Sequence, residues 1–387
     1  MPLDYSRGAG DEPDGDMEWE TLQHSKKAVN RAGLALLKRS NLSAPEFDAC
    51  RQVVNNWRGC HNFPLNTFQV QLRRRAKLIY PDALVAQRIK RLQSIEAKLT
   101  RFPNMTLSQM QDIGGCRAVM RTVSQVKELA HWYQTAGLGH TIARLDDYIR
   151  APQPTGYRGM HLIFKYKSEK FPHYDNLQIE MQFRSQMQHI WATAVETVDT
   201  FSKQALKSSM GSPEWQRFFA LMGSAIAEAE RSPLVPDTPR GPDLVKELRE
   251  LASTLDVRQR LSAFPAAVQI IEKDAKSSDH FFLLELIPDT RELDIQSFRK
   301  DESEIATAAF LETEKRIENT SSQAVLVSVN KVAWLRRAYP NYFLDSKNFL
   351  ALLKSVLDGS PMRVPPLPKS KKSGADDVPP LLKMMLE

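Results

Sequence analysis

Four prolines, Pro233, Pro236, Pro239 and Pro242, fall within ten residues of the 387-residue chain. Each fixes φ near roughly −65° and removes a backbone donor, so neither a helix interior nor a central strand can run through them. The run RSPLVPDTPRGPD therefore reads as a semi-rigid linker with separate cores on either side. At roughly 100–200 residues per domain, the length supports two or three compact units. Hydrophobic residues at 42% and charged residues at 26% are ordinary globular usage and exclude a disordered or fibrous chain. Apolar stretches such as Phe281 to Leu284 are broken by charge well short of the roughly 18–20 residues of a membrane helix. The acidic start MPLDYSRGAGDEPDGDMEWE has no apolar signal core, so the expectation is a soluble, cytoplasmic protein with no membrane partner. Cys50, Cys60 and Cys116 are odd in number and form no CxxC pair, which reads as isolated buried thiols rather than disulfides or a zinc site. The net charge is +7, from 53 Lys plus Arg against 46 Asp plus Glu; it permits a polyanionic partner without requiring one.

Hydrophobic spacing divides the chain further. Residues 1–60 read as a helical region after a flexible acidic terminus, with a first helix from Asp16 and a second from Pro45 to Trp57. Residues 61–231 read as a mixed α/β unit. In it TFQVQLRRRAKLI packs Phe68, Leu72 and Ile79 on one side and gathers Arg73, Arg74, Arg75 and Lys77 elsewhere. Ala83 to Leu99 reads as one helix, CRAVMRTV as a strand, and VKELAHWYQTAG as a helix followed by a loop. MHLIFKYK and LQIEMQFRS read as strands, and QMQHIWATAVETVDTF as a helix. Residues 232–275 hold the linker and further helices. Residues 276–358 form a second, smaller α/β unit with strands HFFLLELI, RELDIQSF and AVLVSV, a helix near 301–319 and two short helices. Residues 359–387 read as a disordered Pro- and Lys-rich tail.

The residues that carry chemistry lie between 88 and 184. Arg88 and Lys90 precede Ser94 and Lys98, and on one helix positions 90, 94 and 98 would share a face suited to a polyphosphate. Such a face is also what a merely solvated basic helix looks like. Asp112 stands before Gly114, Gly115, Cys116 and Arg117, where a carboxylate can hold a metal or cap a turn. Tyr157, Arg158 and His161 lie on and beyond a loop stiffened by Pro152 and Pro154, and a ring there can stack on a nucleobase or pack under its own loop. Glu180, Gln182 and Arg184 alternate along a strand and share one face, costly if buried without partners. Asp112 and Glu180 with surrounding Arg and Lys make the usual apparatus of Mg²⁺-assisted phosphoryl-type transfer.

The runs RIKRLQSIEAK, DIGGCR, DDYIRAPQPTGYRGMH and IEMQFR occur in that order over roughly residues 65–205, and together they resemble the RelA/SpoT synthetase domain. The resemblance implies a mixed-sheet, nucleotidyltransferase-like α/β (α+β) fold with flanking helices, and transfer of the ATP β,γ-pyrophosphate to a ribose 3′-hydroxyl. It implies that Arg88 and Arg117 sandwich adenine, that Lys90, Ser94 and Lys98 grip phosphates, and that Asp112 and Glu180 bind Mg²⁺. Glu180 would also take the proton of the attacking hydroxyl. Tyr157 would stack on the acceptor base, His161 would support it, and Gln182 and Arg184 would organise the site. Departures are Gly159-Met160 for a Ser plus apolar pair, Ser185 for Thr, and Arg144-Leu145-Asp146-Asp147, which mixes basic and acidic variants. No His-Asp dipeptide occurs, so the family's hydrolase half is not expected.

The domain order resembles the CapRel-type fused toxin–antitoxins. There a zinc-finger-like module without zinc covers the ATP site through a YxxY motif, here Tyr339 and Tyr342. That resemblance implies an autoinhibited enzyme that pyrophosphorylates the tRNA CCA end when a phage capsid-like protein binds the C-terminal unit. The cluster Arg73, Arg74, Arg75 and Lys77 favours a tRNA acceptor, which needs a basic strip outside the site. A small-molecule alarmone synthetase making (p)ppGpp or (p)ppApp is the alternative.

Overall fold

A computed structural model describes residues 19–202, 213–262, 279–287, 292–317, 320, 322–328 and 342–363. Three helices lead in: α1 (Lys26–Leu36), α2 (Ala44–Gly59) and α3 (Asn62–Ile79). The first starts later than its apolar spacing suggested, because Ser25 supplies the cap by accepting from the Ala28 N–H at 3.3 Å. The preceding segment is instead held extended by Asn56 of α2, which bonds Glu20, Thr21 and Gln23. On α2, Ser43 and Glu46 form a capping box, with Pro45 in the first turn.

A five-stranded sheet follows, in the order β1-β2-β5-β4-β3, from Leu84–Ile89, Gly114–Met120, Thr141–Asp147, Met160–Lys165 and Gln178–Ser185 as β1 to β5. Only β2 and β5 run parallel, so the sheet is mixed. Helices α4 (Leu92–Arg101), α5 (Val123–Thr135) and α6 (Gln186–Ser202) fill the connections and exit. One sheet face carries Cys116, Ala118, Ile179, Met181, Phe183, Leu162 and Phe164, and it forms the main core with α3 and α5. Phe68 of α3 lies 5.1 Å from Phe164, and Tyr133 of α5 stacks on Phe183 at 5.6 Å.

Two sequence expectations fail in this sheet. Residues 83–99 do not form one helix: β1 precedes α4, and Lys90 lies between them. The strand wins because β2 offers it a partner. Arg88 faces Gly115, Ile89 faces Gly114, and the Lys90 N–H reaches the Ile113 carbonyl at 2.7 Å. This pairing overrides local helical periodicity. The loop expected after α5 contains β3, an edge strand bulged between Ile142 and Arg144, whose exposure hides the alternation that marks half-buried strands.

Helices α7 (Pro213–Ala229) and α8 (Gly241–Thr254) bracket the proline-rich stretch. That stretch is pinned along α7 rather than spacing two bodies. The Val235 N–H donates to Ser224 Oγ at 2.9 Å, and Arg217 reaches the Asp237 carbonyl at 2.7 Å. A second core joins α6, α7 and α8 to the C-terminal helix Tyr342–Leu357, with Phe349 against Phe218 and Phe219. Strands β6 (Asp279–Ile287), β7 (Glu292–Arg299) and β8 (Gln323–Ser328) make an antiparallel sheet in the order β7-β6-β8. The helix Ser303–Ile317 covers it through Ala306, Phe310 and Ile317. Tyr339 and the side chain of Tyr342 lie outside the described residues. No helix among the described residues is long and apolar enough to cross a membrane.

Candidate functional site

The sheet face opposite α3 is polar. Register places Gly115 beside Glu180, Arg117 beside Gln182, and His161 on the other side of Gln182. With Arg88 across from Gly115, strands β1, β2, β5 and β4 send their polar side chains to one surface. A cleft of about 330 Å³ opens there, lined by Arg88, Lys90, Ser94, Arg117, Glu180 and Gln182 among others. Gly115 matters in its floor: the nearest atoms to a Cβ built there are the Glu180 carbonyl at 3.6 Å and Oε2 at 3.9 Å, so a side chain would fill the space above the strand.

One end of the cleft is a charge cluster. Asp112, on the turn into β2, takes Lys90 Nζ at 2.8 Å on one oxygen and Lys98 Nζ at 2.9 Å on the other. The expectation that positions 90, 94 and 98 share one helix face fails, because Lys90 precedes α4; it meets Lys98 only through their common partner Asp112. Burial pushes the Asp112 carboxyl up, but the two ammoniums outweigh it and hold it below the ordinary value. Arg58 of α2 fixes the backbone by donating Nε to the Lys90 carbonyl at 2.8 Å.

The other end is a closed ring of hydrogen bonds. Arg184 donates Nη2 to Tyr157 Oη at 2.9 Å and to Gln182 Oε1 at 3.1 Å. Gln182 donates Nε2 to Glu180 Oε2 at 2.7 Å, and His161 Nδ1 meets Glu180 Oε1 at 3.0 Å. His161 Nε2 and Tyr157 Oη close the circle. Burial would raise the Glu180 carboxyl, yet the His161 hydrogen bond and charge, with help from Gln182, hold it down while Asp112 pushes it up. The Arg184 guanidinium sits 5.0 Å over the Tyr157 ring, whose edges meet Tyr148, His161 and Trp191. The charge of Asp112 thus opposes the ionisation of Glu180.

These two carboxylates fit a hard divalent cation by donor chemistry. Among the described residues no group of three or more His, Cys, Asp or Glu forms a ligand cage, so substrate oxygens would complete the shell.

The structure does not bring Arg73, Arg74, Arg75 and Lys77 to the cleft. They stand on α3, behind the sheet, where a Cβ on Gly114 would meet His61 and Leu65. Arg75 lies 4.9 Å over the Trp132 ring, while Arg73, Arg74 and Lys77 are exposed. Sequence reasoning missed Arg58, and it missed Glu196 of α6 and Arg91, which line the cleft. Glu196 lies nearly three turns into α6, between Val195 and Thr197, and nothing in its local sequence marks it as a cleft residue. Cys60 and Cys116 are buried free thiols, and burial pushes Cys60 up to about 12.

The family model described as a region found in RelA / SpoT proteins matches residues 87–203. GTP pyrophosphokinase YwaC of Bacillus subtilis (strain 168) is 26% identical over 168 residues, 40% of this chain and 79% of that protein. GTP pyrophosphokinase YjbM of the same organism is 29% identical over 115 residues, 29% of this chain and 54% of that protein. The crystal structure of small alarmone synthetase 2 from Bacillus subtilis overlays with a TM-score of 0.39 at 18% identity, covering 46% of this chain and 94% of that one. Residues 87–203 thus match a region found in RelA / SpoT proteins, and the chain is a pyrophosphotransferase enzyme.

Proposed function

We propose that this pyrophosphokinase transfers the β,γ-pyrophosphate of ATP to the 3′-hydroxyl of a free purine nucleotide, with the two substrates meeting over Glu180. The observation that carries this reading is the juxtaposition of the Lys90–Asp112–Lys98 cluster with the ring that ends on Glu180. Lys90, Lys98 and Ser94 take the triphosphate, the lysines exchanging Asp112 oxygens for phosphate oxygens. Arg88 and Arg117 bracket the adenine. With Arg184 on one face of the Tyr157 ring, an acceptor base stacks on the other. Asp112 and Glu180 would hold Mg²⁺, which when bound offsets charge on the triphosphate.

The acceptor oxygen attacks the β-phosphorus, the bond from that phosphorus to the α,β-bridging oxygen breaks, and AMP leaves. Glu180, ionised and oriented by His161 and Gln182, takes the hydroxyl proton. Similarity to proteins named GTP pyrophosphokinase supports a free guanosine nucleotide as acceptor.

A second reading takes the tRNA CCA end as acceptor, with Tyr339 and Tyr342 closing the ATP side until a phage structural protein binds the C-terminal unit. The exposed cations Arg73, Arg74 and Lys77 favour it, although the sheet lies between them and the cleft. Incubation with γ-labelled ATP and GTP, GDP, ATP or bulk tRNA separates the two. Label on a free nucleotide supports the first reading, label on tRNA alone replaces it with the second, and label on none of them rejects both.

A further inference from the structure

The residue after Arg184 and a glutamine of α6 converge on one carboxylate. Ser185 is fully buried, and its hydroxyl donates to Glu230 Oε1. Gln188 donates Nε2 to Glu230 Oε2 at 2.9 Å and, through its own N–H, bonds Ser185 Oγ at 3.1 Å. Burial pushes the Glu230 carboxyl above its ordinary value, against the Ser185 and Gln188 hydrogen bonds and the field of Arg158, which is 2% exposed. Arg158 donates to the Pro233 carbonyl at 2.6 Å and the Ile149 carbonyl at 3.2 Å. Glu230 lies just past the end of α7, outside residues 87–203.

The same helix holds the Tyr157 loop by backbone contact. Gly156 has φ of +91°, and a Cβ there would fall 2.7 Å from the Phe219 carbonyl of α7. A Cβ on Gly223 would fall 2.8 Å from the Gly156 carbonyl. The Trp191 indole N–H donates to that Phe219 carbonyl at 2.9 Å, and its ring meets the Tyr157 ring edge-on. Two glycines without side chains and three buried polar groups thus lock the loop and the end of β5 to α7.

We propose that Glu230 is a positioning residue for the acceptor half of the cleft: by holding Ser185 and Gln188 it fixes the end of β5 against the helix that seats the Tyr157 loop, and so sets the relative placement of Tyr157 and Arg184. The proposal rests on the reading that Tyr157 and Arg184 face the acceptor. Neither residue is touched by Glu230, so its effect is geometric. The donor cluster stands on the β1–α4 junction, α4 and the turn into β2, with which Glu230 shares no hydrogen bond, and its affinity for ATP is independent of Glu230.

The test compares wild type with Glu230→Ala and the isosteric Glu230→Gln, which guards against a variant that fails to fold. Hydrogen exchange is read over residues 148–160, and kinetics with GTP and with bulk tRNA as acceptors. Loss of the Ser185 and Gln188 hydrogen bonds predicts that Glu230→Ala raises acceptor KM about tenfold, with ATP KM within about twofold. Exchange in 148–160 rises while that in β1 and α4 does not, and Glu230→Gln falls between the two. Unchanged exchange in 148–160, or an equal rise in KM for ATP and acceptor, overturns the proposal. A wild type that transfers label to no acceptor rejects the proposed function instead, and the exchange comparison still decides the role of Glu230.

Discussion

The two halves of the cleft are stabilised in opposite ways. At the donor end one carboxylate, Asp112, holds two lysines by ion pairs that a polyphosphate can take over. At the acceptor end five side chains, the charged Arg184 and Glu180 among them, bond one another in a closed ring, and aromatic rings pack around it. The donor end is electrostatic and exchangeable; the acceptor end is preorganised. Binding at the first replaces existing contacts, whereas binding at the second uses a surface already in place, the arrangement that fixes a reacting hydroxyl most accurately.

The largest break in this comparison comes from Glu180, where the halves meet. Glu180→Gln keeps the shape and the Gln182 contact but removes the base, and kcat should fall about 10²–10⁴-fold with ATP affinity nearly unchanged. Steady-state kinetics with an equilibrium ATP-binding measurement checks both, and normal turnover would remove Glu180 from the chemistry. Tyr157→Phe is smaller and one-sided. It keeps the ring but opens the circle at Arg184 and His161, so acceptor KM should rise about tenfold while ATP KM holds. An equal change in both constants would merge the halves into one unit.

A third effect lies behind the sheet and concerns stability rather than turnover. His61 is buried, and its Nδ1 pairs with the Trp57 carbonyl at 2.7 Å; burial drives its imidazole from the ordinary 6.5 down to about 4. The native state keeps it neutral, whereas the unfolded chain takes up a proton once the pH drops below 6.5. Its contribution is therefore complete above that pH and is lost as pH falls toward 4, by at most about 1.4 kcal/mol per pH unit. In urea unfolding, the stability gap between wild type and His61→Gln should narrow over that interval. A constant gap would show that His61 titrates alike in both states.

Much of the site could be read in the sequence because strand periodicity survives tertiary context. Glu180, Gln182 and Arg184 do share a face, and Asp112 does stand at the mouth of a glycine-opened strand. What could not be read depends on partners distant in the chain. Residues 83–99 carry a helical period, and only β2, about thirty residues on, turns their first part into a strand. The basic run of α3 looks like an accessory to the site until Gly114 is seen to seat α3 on the other face. Glu230 gave no local signal, since its meaning lies in Ser185 and Gln188, more than forty residues earlier.

The central claim is that the nucleophile attacks the β-phosphorus of an ATP gripped by the donor cluster while the ring fixes the acceptor. The nucleotide released in a single turnover with γ-labelled ATP and GTP tests it most directly. Attack at the β-phosphorus releases AMP in one-to-one ratio with labelled acceptor carrying both transferred phosphates. ADP with a singly phosphorylated acceptor would place the attack at the γ-phosphorus and contradict it.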